Sequence, residues 1–414
     1  MPVITPKNIL FISYDGMTDP LGQSQVIPYL QGLSKAGYKI FLLSCEKKEA
    51  WLQNKDAISN ILQAAGIEWV PLNYTKKPPV FSTLIDIFKL KKAARKIHQK
   101  NKLDMVHTRP GVPALVGLWM KKSMGIKFLN DIREFYADSR VEGGMWNTKQ
   151  PMYASIYNYF KKKEAEAVTQ SDGIVCLTYA AENIIKEWKG YNPEVPLEVI
   201  PCSADMDLFN PAAINTVEKI SLQSTLQISD SDFVISYLGS IGGWYLTDEM
   251  MQFCKILIDK IPSAKLLFIS PHRHDDIKLL ANKYGIPANK IIIKKADRKQ
   301  VPLLLSLSRY SVFFIKPCYS KQSSSPTKHG EIMAMGIPLI TNSGVGDVQA
   351  IVEKYQSGIV IESFTNQEFE AAANKVAGKI TYNSESIRNG AKDFYALDNA
   401  ILKYISIYNR ILQQ

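Results

Sequence analysis

Thirteen short apolar runs, many of them β-branched, alternate along this chain with longer amphipathic segments, and no other feature limits the fold as strongly. In the first half the runs are NILFISY (8 to 14), KIFLLSC (39 to 45), EWVPLNY (68 to 74), DMVHTR (104 to 109), KFLNDI (127 to 132), GIVCLT (173 to 178) and LEVIPC (197 to 202). A second series follows: FVISYLGS (233 to 240), AKLLFIS (264 to 270), KIIIKKA (290 to 296), SVFFIKP (311 to 317), PLITN (338 to 342) and SGIVIES (357 to 363). Runs of this length, separated by helical patterns, predict repeated strand-helix-strand units and parallel sheets. The chain's 414 residues exceed the roughly 250 to 300 that one core usually serves, so two domains are expected. The polar stretch ADMDLFNPAAINTVEKISLQSTLQISDSD divides the two series and places a hinge at 203–212. We therefore expect an α/β fold of two Rossmann-like, doubly wound domains, 1–205 and 206–395. The tail 396–414 repeats apolar residues at Leu397, Ile401, Ile405, Tyr408 and Leu412, which predicts a final helix with that face inward. Doubly wound sheets bind ligands where strands end and helices begin, and a cleft faced by both sheets is the expected site.

Composition narrows the class. With 46% hydrophobic and 21% charged residues and no biased tract, the chain is an ordinary globular one. The opening MPVITPKNILFISYDG has an apolar stretch too short for a leader or a membrane span. Cys45, Cys176, Cys202, Cys254 and Cys318 are odd in number and mostly lie in apolar runs, which reads as small core residues in a reducing compartment. The net charge is +11, and the excess lies early: 27 basic and 19 acidic residues stand in the first 200 positions, against 23 and 20 after them. Residues 86 to 102, DIFKLKKAARKIHQKNK, carry seven Lys or Arg and one Asp, with Ile87, Leu90, Ala94 and Ile97 available for an inner face. This is a solvated helix packed on a core, or a surface that meets anionic lipid or an anionic substrate. Nucleic acid is excluded as a partner because no aromatic-interleaved basic strand accompanies the charge.

Several motifs are absent or weak. No G-x-S-x-G elbow, P-loop or H-E-x-x-H occurs, so hydrolase, phosphoryl-transfer and zinc-protease chemistry lack their residues. Gly16 and Gly22 follow the first strand and could bring backbone N–H groups to a phosphate, although their spacing is not the dinucleotide pattern. The triplets Asp205 to Asp207 and Asp230 to Asp232 read as loop acids, and His272 and His274 with Asp275 and Asp276 lack a partner cluster, so no metal is expected. The remaining candidates gather at strand ends: Asp15, His107, Arg109, Asp131, Arg133, Glu134, Gly239, Ser240, Lys316, Lys328 and Glu331. Such a mixed lining suits an anionic diphosphate with hydroxyl groups to be oriented.

The stretch SSSPTKHGEIMAMGIPLITNSGVGD, 323 to 347, predicts a helix over about 326 to 335, capped by Ser325, with Pro326 at its first turn and Gly336 as its stop. Lys328 and Glu331 are the charges on its first turns.

Nearly the whole chain resembles glycosyltransferase family 4, the retaining group with the GT-B fold of two Rossmann-like domains. The residues that carry the likeness are SQVIPYLQGLSKAGYKIFLLS, DMVHTRPGVPALVGLWMKKSMGIKFLNDIREFYAD, the hinge EVIPCSADMDLFNP, YLGSIGGWY and, most specifically, EIMAMGIPLITNSGVGD. The resemblance implies a C-terminal helix that packs back toward the first domain. It also implies that Glu331 holds the ribose hydroxyls of a nucleotide sugar. Where the family has its first Glu, eight positions earlier, this chain has Ser323, and the Arg and Lys usual after the first strand of the second domain are missing from GSIGGWY. Lys328, Arg273, Lys316 and Arg298 are the cations available instead, and Lys328 is favoured because it stands at a helix N-terminus. Gly22, Gly239, Ser240, Ser323 and Thr327 complete the implied donor side. Asp131, Arg133 and Glu134, the implied catalytic residues, would line the sugar and acceptor side, with Asp15, His107 and Arg109 toward the acceptor.

The implied activity is a metal-independent, retaining transfer from a UDP- or GDP-linked sugar, with no cofactor. A glycan or lipid-linked acceptor in capsule, O-antigen or exopolysaccharide assembly is expected, with the enzyme cytoplasmic and peripheral on an anionic membrane surface. A nucleotide-sugar epimerase and a catalytically silent nucleotide-sugar-binding module are the competing readings.

Overall fold

The computed structural model describes residues 6–78, 80–378 and 380–413. The reading of the first few residues as too short for a leader therefore rests partly on 1–5, which lie outside the described residues. The chain divides into two compact units, Met1–Pro201 together with Leu397–Gln414, and Cys202–Ala396.

In the first unit the strands are β1 (Asn8–Ser13), β2 (Lys39–Glu46), β3 (Glu68–Asn73), β4 (Met105–Thr108), β5 (Lys127–Ile132), β6 (Gly173–Cys176) and β7 (Leu197–Val199). They form a parallel sheet in the order β3-β2-β1-β4-β5-β6-β7. The second unit has β8 (Phe233–Leu238), β9 (Ala264–Ile269), β10 (Ile291–Lys294), β11 (Tyr310–Val312), β12 (Leu339–Asn342) and β13 (Gly358–Ile361). Their order is β10-β9-β8-β11-β12-β13, again parallel. Each apolar run became a strand because both faces of such a sheet are covered, so the inner strands bury continuous apolar sequence on both sides, while the edge strands β3 and β10 stay partly exposed. The two-domain α/β expectation thus matches the observed architecture. In each sheet the winding direction reverses beside the first strand, at β1/β4 and at β8/β11, and ligands of doubly wound folds bind outside the carboxyl ends of strands at such points.

The helix Leu397–Leu412 closes the first unit, but it buries a different face from the expected one. Ala400, Tyr404, Ile407, Tyr408 and Ile411 are buried, while Leu397, Ile405 and Leu412 only flank that cluster. Of the expected residues only Tyr408 is fully buried; the stripe that turned inward also carries Tyr404, and both tyrosine hydroxyls find buried polar partners, which an apolar count does not register. Gly32 lies on the helix Ile27–Lys35, and a Cβ there would overlap the side chain of Ile401, so glycine lets the two helices approach.

The basic segment forms the helix Phe81–Asn101. Leu90, Ala94 and Ile97 are buried as expected; Ile87 is half-buried, and Ser82 and Asp86 join the inner face. Asp86 is fully buried because it accepts from the Tyr14 hydroxyl at 3.0 Å and from the Thr75 N–H and hydroxyl at 3.0 and 2.6 Å. Cys45, Cys176, Cys202 and Cys254 are buried and Cys318 is half-buried.

Candidate active site

In the second unit the chain leaves β8 through Gly239, whose φ of +122° favours glycine. A Cβ there would stand 2.6 Å from Lys328 Nζ, so the glycine also clears a path for that side chain. Lys328 lies in the first turn of the helix Thr327–Ala334 and is buried in a cage of rings. Its Nζ stands 3.7 Å from the ring centre of Tyr245, 4.5 Å from that of Tyr237 and 5.8 Å from that of Phe313, and donates to the Tyr237 hydroxyl at 3.4 Å. Burial pushes the ammonium down to about 7 against the opposing pull of Glu331. Ring faces stabilise a cation but do not neutralise it, and among the described residues Lys328 makes no ion pair. The cage therefore presents a donor suited to an anion.

One turn on, Glu331 is buried and its Oε1 accepts from Arg298 Nη1 at 2.6 Å. Burial raises the Glu331 carboxyl, and Arg298 works against that rise. The Arg298 guanidinium also stacks on Phe209, 5.3 Å from its ring centre. This bond uses one carboxylate oxygen and leaves Oε2 to accept from a ligand hydroxyl.

Arg273, half-exposed with φ of +61°, precedes the helix His274–Lys283. It donates from Nη1 to the Ile241 carbonyl at 3.0 Å and pairs with Asp276, so it straps the loop after β8. Ser240 in that loop is exposed, and its carbonyl accepts from the Tyr237 hydroxyl. Lys316 is exposed beyond β11, where its N–H donates to the Trp244 carbonyl at 2.9 Å.

The segment before the helix differs in detail from expectation. Ser323 is fully buried at the end of a 3-10 turn, Tyr319–Ser323, and its hydroxyl donates to the Ser320 carbonyl at 2.8 Å. Ser325 does not cap: its hydroxyl accepts from the Cys202 N–H at 3.2 Å, and the helix starts at Thr327, which is half-buried. The capping expectation considered only local partners, and a backbone donor distant in sequence claimed the hydroxyl. Gly336 stops the helix as expected, with φ of +69°.

In the first unit, the loop after β1 shows what happens to an anion-binding turn when the chain fills it. The Glu46 carboxylate, at the end of β2, accepts from the N–H groups of Met17 and Thr18 at 2.8 and 3.1 Å and from the hydroxyls of Thr18 and Ser44 at 2.5 and 2.6 Å. Gly16 is glycine because a Cβ would stand 2.7 Å from Glu46 Oε2, and a side chain at Gly22 would collide with the Gly16 carbonyl. Gly22 therefore serves close backbone packing, at the start of the helix Pro20–Gln25.

The ends of β4 and β5 carry a buried charge network. Asp131 Oδ2 accepts from the Tyr404 hydroxyl at 2.8 Å, lies 3.2 Å from His107 Nε2 and 3.9 Å from Arg133 Nη1. His107 Nδ1 meets the Tyr408 hydroxyl at 2.7 Å, and Arg133 Nη1 donates to the Tyr404 hydroxyl at 3.1 Å. Burial lowers the His107 pKa, outweighing Asp131, so the imidazole is neutral. Burial works to raise the Asp131 carboxyl, and Arg133, His107 and Arg109 together overcome it and hold it below the usual range. Asp131 and His107 are 1% exposed, so their partners are side chains of the network. Arg109 is buried beside them, with Nη1 donating to the Gln25 carbonyl at 3.3 Å and Nε 3.6 Å from the exposed Asp15 carboxylate. Glu134 is half-exposed and pairs with Arg140 at 3.1 Å.

The structure thus groups Gly239, Lys328 and Glu331 at one sheet edge, and Asp15, His107, Arg109, Asp131 and Arg133 at the other sheet's corresponding edge. Sequence reasoning missed Glu46, Tyr237, Tyr245 and Tyr404, and took Tyr408 only as an apolar residue of the final helix. Only Glu46 carried a visible signal, an acid closing the otherwise apolar KIFLLSCE. The DxD acids at 205 and 207 resolve into a turn, where Asp205 Oδ1 accepts from the N–H groups of Asp207 and Leu208.

Residues 219–392 match the family model of glycosyl transferases group 1. No curated protein matches the sequence. Similar solved structures include a glycosyltransferase of Rickettsia africae, 17% identical with a TM-score of 0.72, the alignment covering 99% of each chain. Anabaena HepE, solved in complex with UDP and glucose, is 11% identical at a TM-score of 0.71, over 97% of this chain and 99% of that one. WaaG, a glycosyltransferase involved in lipopolysaccharide biosynthesis, is 12% identical at 0.67, over 95% and 99%. These likenesses extend the GT-B fold over the chain, and the stretch 219–392 of its second unit is similar to the glycosyl transferases of group 1.

Proposed function

We propose that the second unit holds a nucleoside-diphosphate sugar, with Lys328 at the diphosphate and Glu331 at the ribose, and that the first unit presents the acceptor. The observation that carries this reading is the contrast between two equivalent loops. After β1 the turn's N–H groups are occupied by Glu46, whereas after β8 the loop borders a caged lysine with no ion pair among the described residues. One Rossmann unit is therefore closed to phosphate at its first turn, and the other is prepared for it. UDP is the first nucleotide to try, since HepE has the same fold and was solved with it.

The reaction is transfer with retention. The bond from the anomeric carbon to the diphosphate oxygen breaks as the acceptor oxygen bonds to the same face, and the acceptor proton passes to the departing diphosphate. Lys328 and the N-terminus of its helix stabilise the charge that develops on that diphosphate. Arg133 and Glu134 orient sugar and acceptor, and Asp131 holds Arg133. Arg273, Lys316, Ser240, Ser323 and Thr327 complete the surroundings of the donor, and Asp15, His107 and Arg109 those of the acceptor. The acceptor is a glycan or lipid-linked glycan in cell-surface polysaccharide assembly, met at the cytoplasmic face of an anionic membrane; the basic first half of the chain supports this.

A thermal-shift screen across nucleotide sugars, followed by product analysis with and without acceptor, tests the reading. We expect one nucleotide class to stabilise the protein and Glu331→Ala to remove both that shift and transfer while the protein stays folded. Conversion of donor to an epimer without acceptor would make it an epimerase, and donor binding without transfer to any acceptor a silent module.

A further inference from the structure

The helix Phe81–Asn101 exposes four large apolar side chains in its first two turns: Phe81 at 66%, Leu84 at 57%, Ile85 at 45% and Phe88 at 68%. Their spacing, i, i+3, i+4 and i+7, puts them on one stripe. At about 100° per residue the same stripe continues through Lys92, Arg95 and Lys96, all exposed. The opposite face holds Asp86, Leu90, Ala94 and Ile97 in the first unit's interior. The outer stripe is thus divided lengthwise, about 10 Å of apolar surface at the N-terminal end and a cationic run after it. Neither half is explained by the fold, since no described residue covers the phenylalanines.

We propose that this stripe docks the enzyme on an anionic lipid surface, the phenylalanine end entering the headgroup boundary and the Lys and Arg run lying on the phosphates. Charge selects this occupant. A second copy of the chain, paired twofold through the apolar ends, would leave both cationic runs without counter-charge, whereas lipid phosphates neutralise the run while the acyl boundary takes the apolar end. The apolar end is also fixed in place. Asp86, bonded to Tyr14 and Thr75, ties the first turns of the helix to the loops after β1 and β3, the sheet edge that carries Asp15 and Arg109. Lipid bound there lies at the edge assigned above to the acceptor. The inference deepens the acceptor half of the proposed function and rests on it only for its purpose, because docking itself requires no chemistry.

The test is cosedimentation of the full chain with phosphatidylcholine vesicles, with and without phosphatidylglycerol, at low and high salt. We expect retention on the mixed vesicles at low salt, loss of it at high salt, and weak binding to phosphatidylcholine alone. The double variant Phe81→Ser, Phe88→Ser should weaken retention about tenfold with unfolding temperature unchanged, since both side chains are solvent-exposed. Lys92→Glu with Lys96→Glu should abolish the salt-sensitive part. Equal retention of the double variant, no retention of the wild type on any vesicle, or a lipid-independent dimer that the double variant dissolves would each overturn the proposal. A protein that binds vesicles but transfers no sugar refutes the function and leaves docking standing; transfer to a soluble acceptor without vesicle binding does the reverse.

Discussion

Tyr404 stands between Asp131 and Arg133, its hydroxyl donating to Asp131 Oδ2 at 2.8 Å and accepting from Arg133 Nη1 at 3.1 Å. A residue ten positions from the end of the sequence therefore orients the two groups of opposite charge at the end of β5. Tyr404→Phe removes this link and leaves the ring in place. We expect a stability loss of about 1 to 2 kcal/mol, since the hydroxyl bonds charged groups. We also expect kcat to fall about tenfold with little change in donor KM, read from steady-state kinetics beside a melting curve. Unchanged kcat at the lower melting temperature would show the tyrosine to be structural only.

Glu331→Gln keeps the size of the side chain but takes the charge away from Arg298. The half-buried Arg298 guanidinium loses its counter-ion and the proposed ribose contact loses an ionised acceptor, each a charge-assisted bond worth about 1.5 to 3 kcal/mol. Nucleotide affinity, measured by calorimetry, should drop about tenfold to a hundredfold. Arg298→Ala should produce a similar loss that deepens as pH falls, because burial raises the Glu331 carboxyl and Arg298 is the first influence opposing it.

With Lys328 at the diphosphate, as proposed, donor binding should depend on pH. With its ammonium pushed down to about 7, the free protein carries a neutral amine here above that pH, while a diphosphate favours the charged form. Binding then takes up a proton, and affinity should fall by about tenfold per pH unit above 7 until the bound form also titrates. Tyr237 and Tyr245 stay neutral across this range because burial raises both, and Glu331 carries the remaining nearby charge. In the absence of ligand the sign reverses. Between about 7 and the ordinary lysine value the unfolded chain holds a proton that the folded chain lacks, so this residue makes stability rise with pH. Lys328→Met should flatten both slopes, in calorimetry across buffers of differing ionisation heat and in denaturant titrations.

Glu46→Ala vacates an anion site built from two N–H groups and two hydroxyls. We expect a loss of about 2 to 4 kcal/mol from the stranded donors. Formate should raise the melting temperature of the variant and leave that of the wild type unmoved. An equal response from both proteins would mean that the loop collapses rather than holding an anion.

Much of the fold was legible because its signals are local and repeated. Every run read as a strand overlaps one, from NILFIS at β1 to GIVI at β13, since a parallel strand covered on both faces is apolar along its length. Gly336 marked the end of its helix because few other residues accept its backbone angle. Lys328 and Glu331 stood out as charges on a helix of otherwise small and apolar residues. Ser325 misled because a cap is judged from the three residues that follow, and its hydroxyl went to Cys202.

Sequence alone, then, determined the strands, their grouping into two series and the positions where chemistry-bearing residues emerge from strand ends. Periodicity and composition are enough for that, because they express the burial each residue requires. Tertiary structure decided which groups face one another. It set Glu46 into the turn after β1, closed three rings around Lys328, and brought Tyr404 and Tyr408 to Asp131 and His107 across a sequence separation of about 270 to 300 residues. Such pairings depend on sheet order and helix rotation, and a hydroxyl or carboxylate carries no mark in the sequence of the partner it will meet.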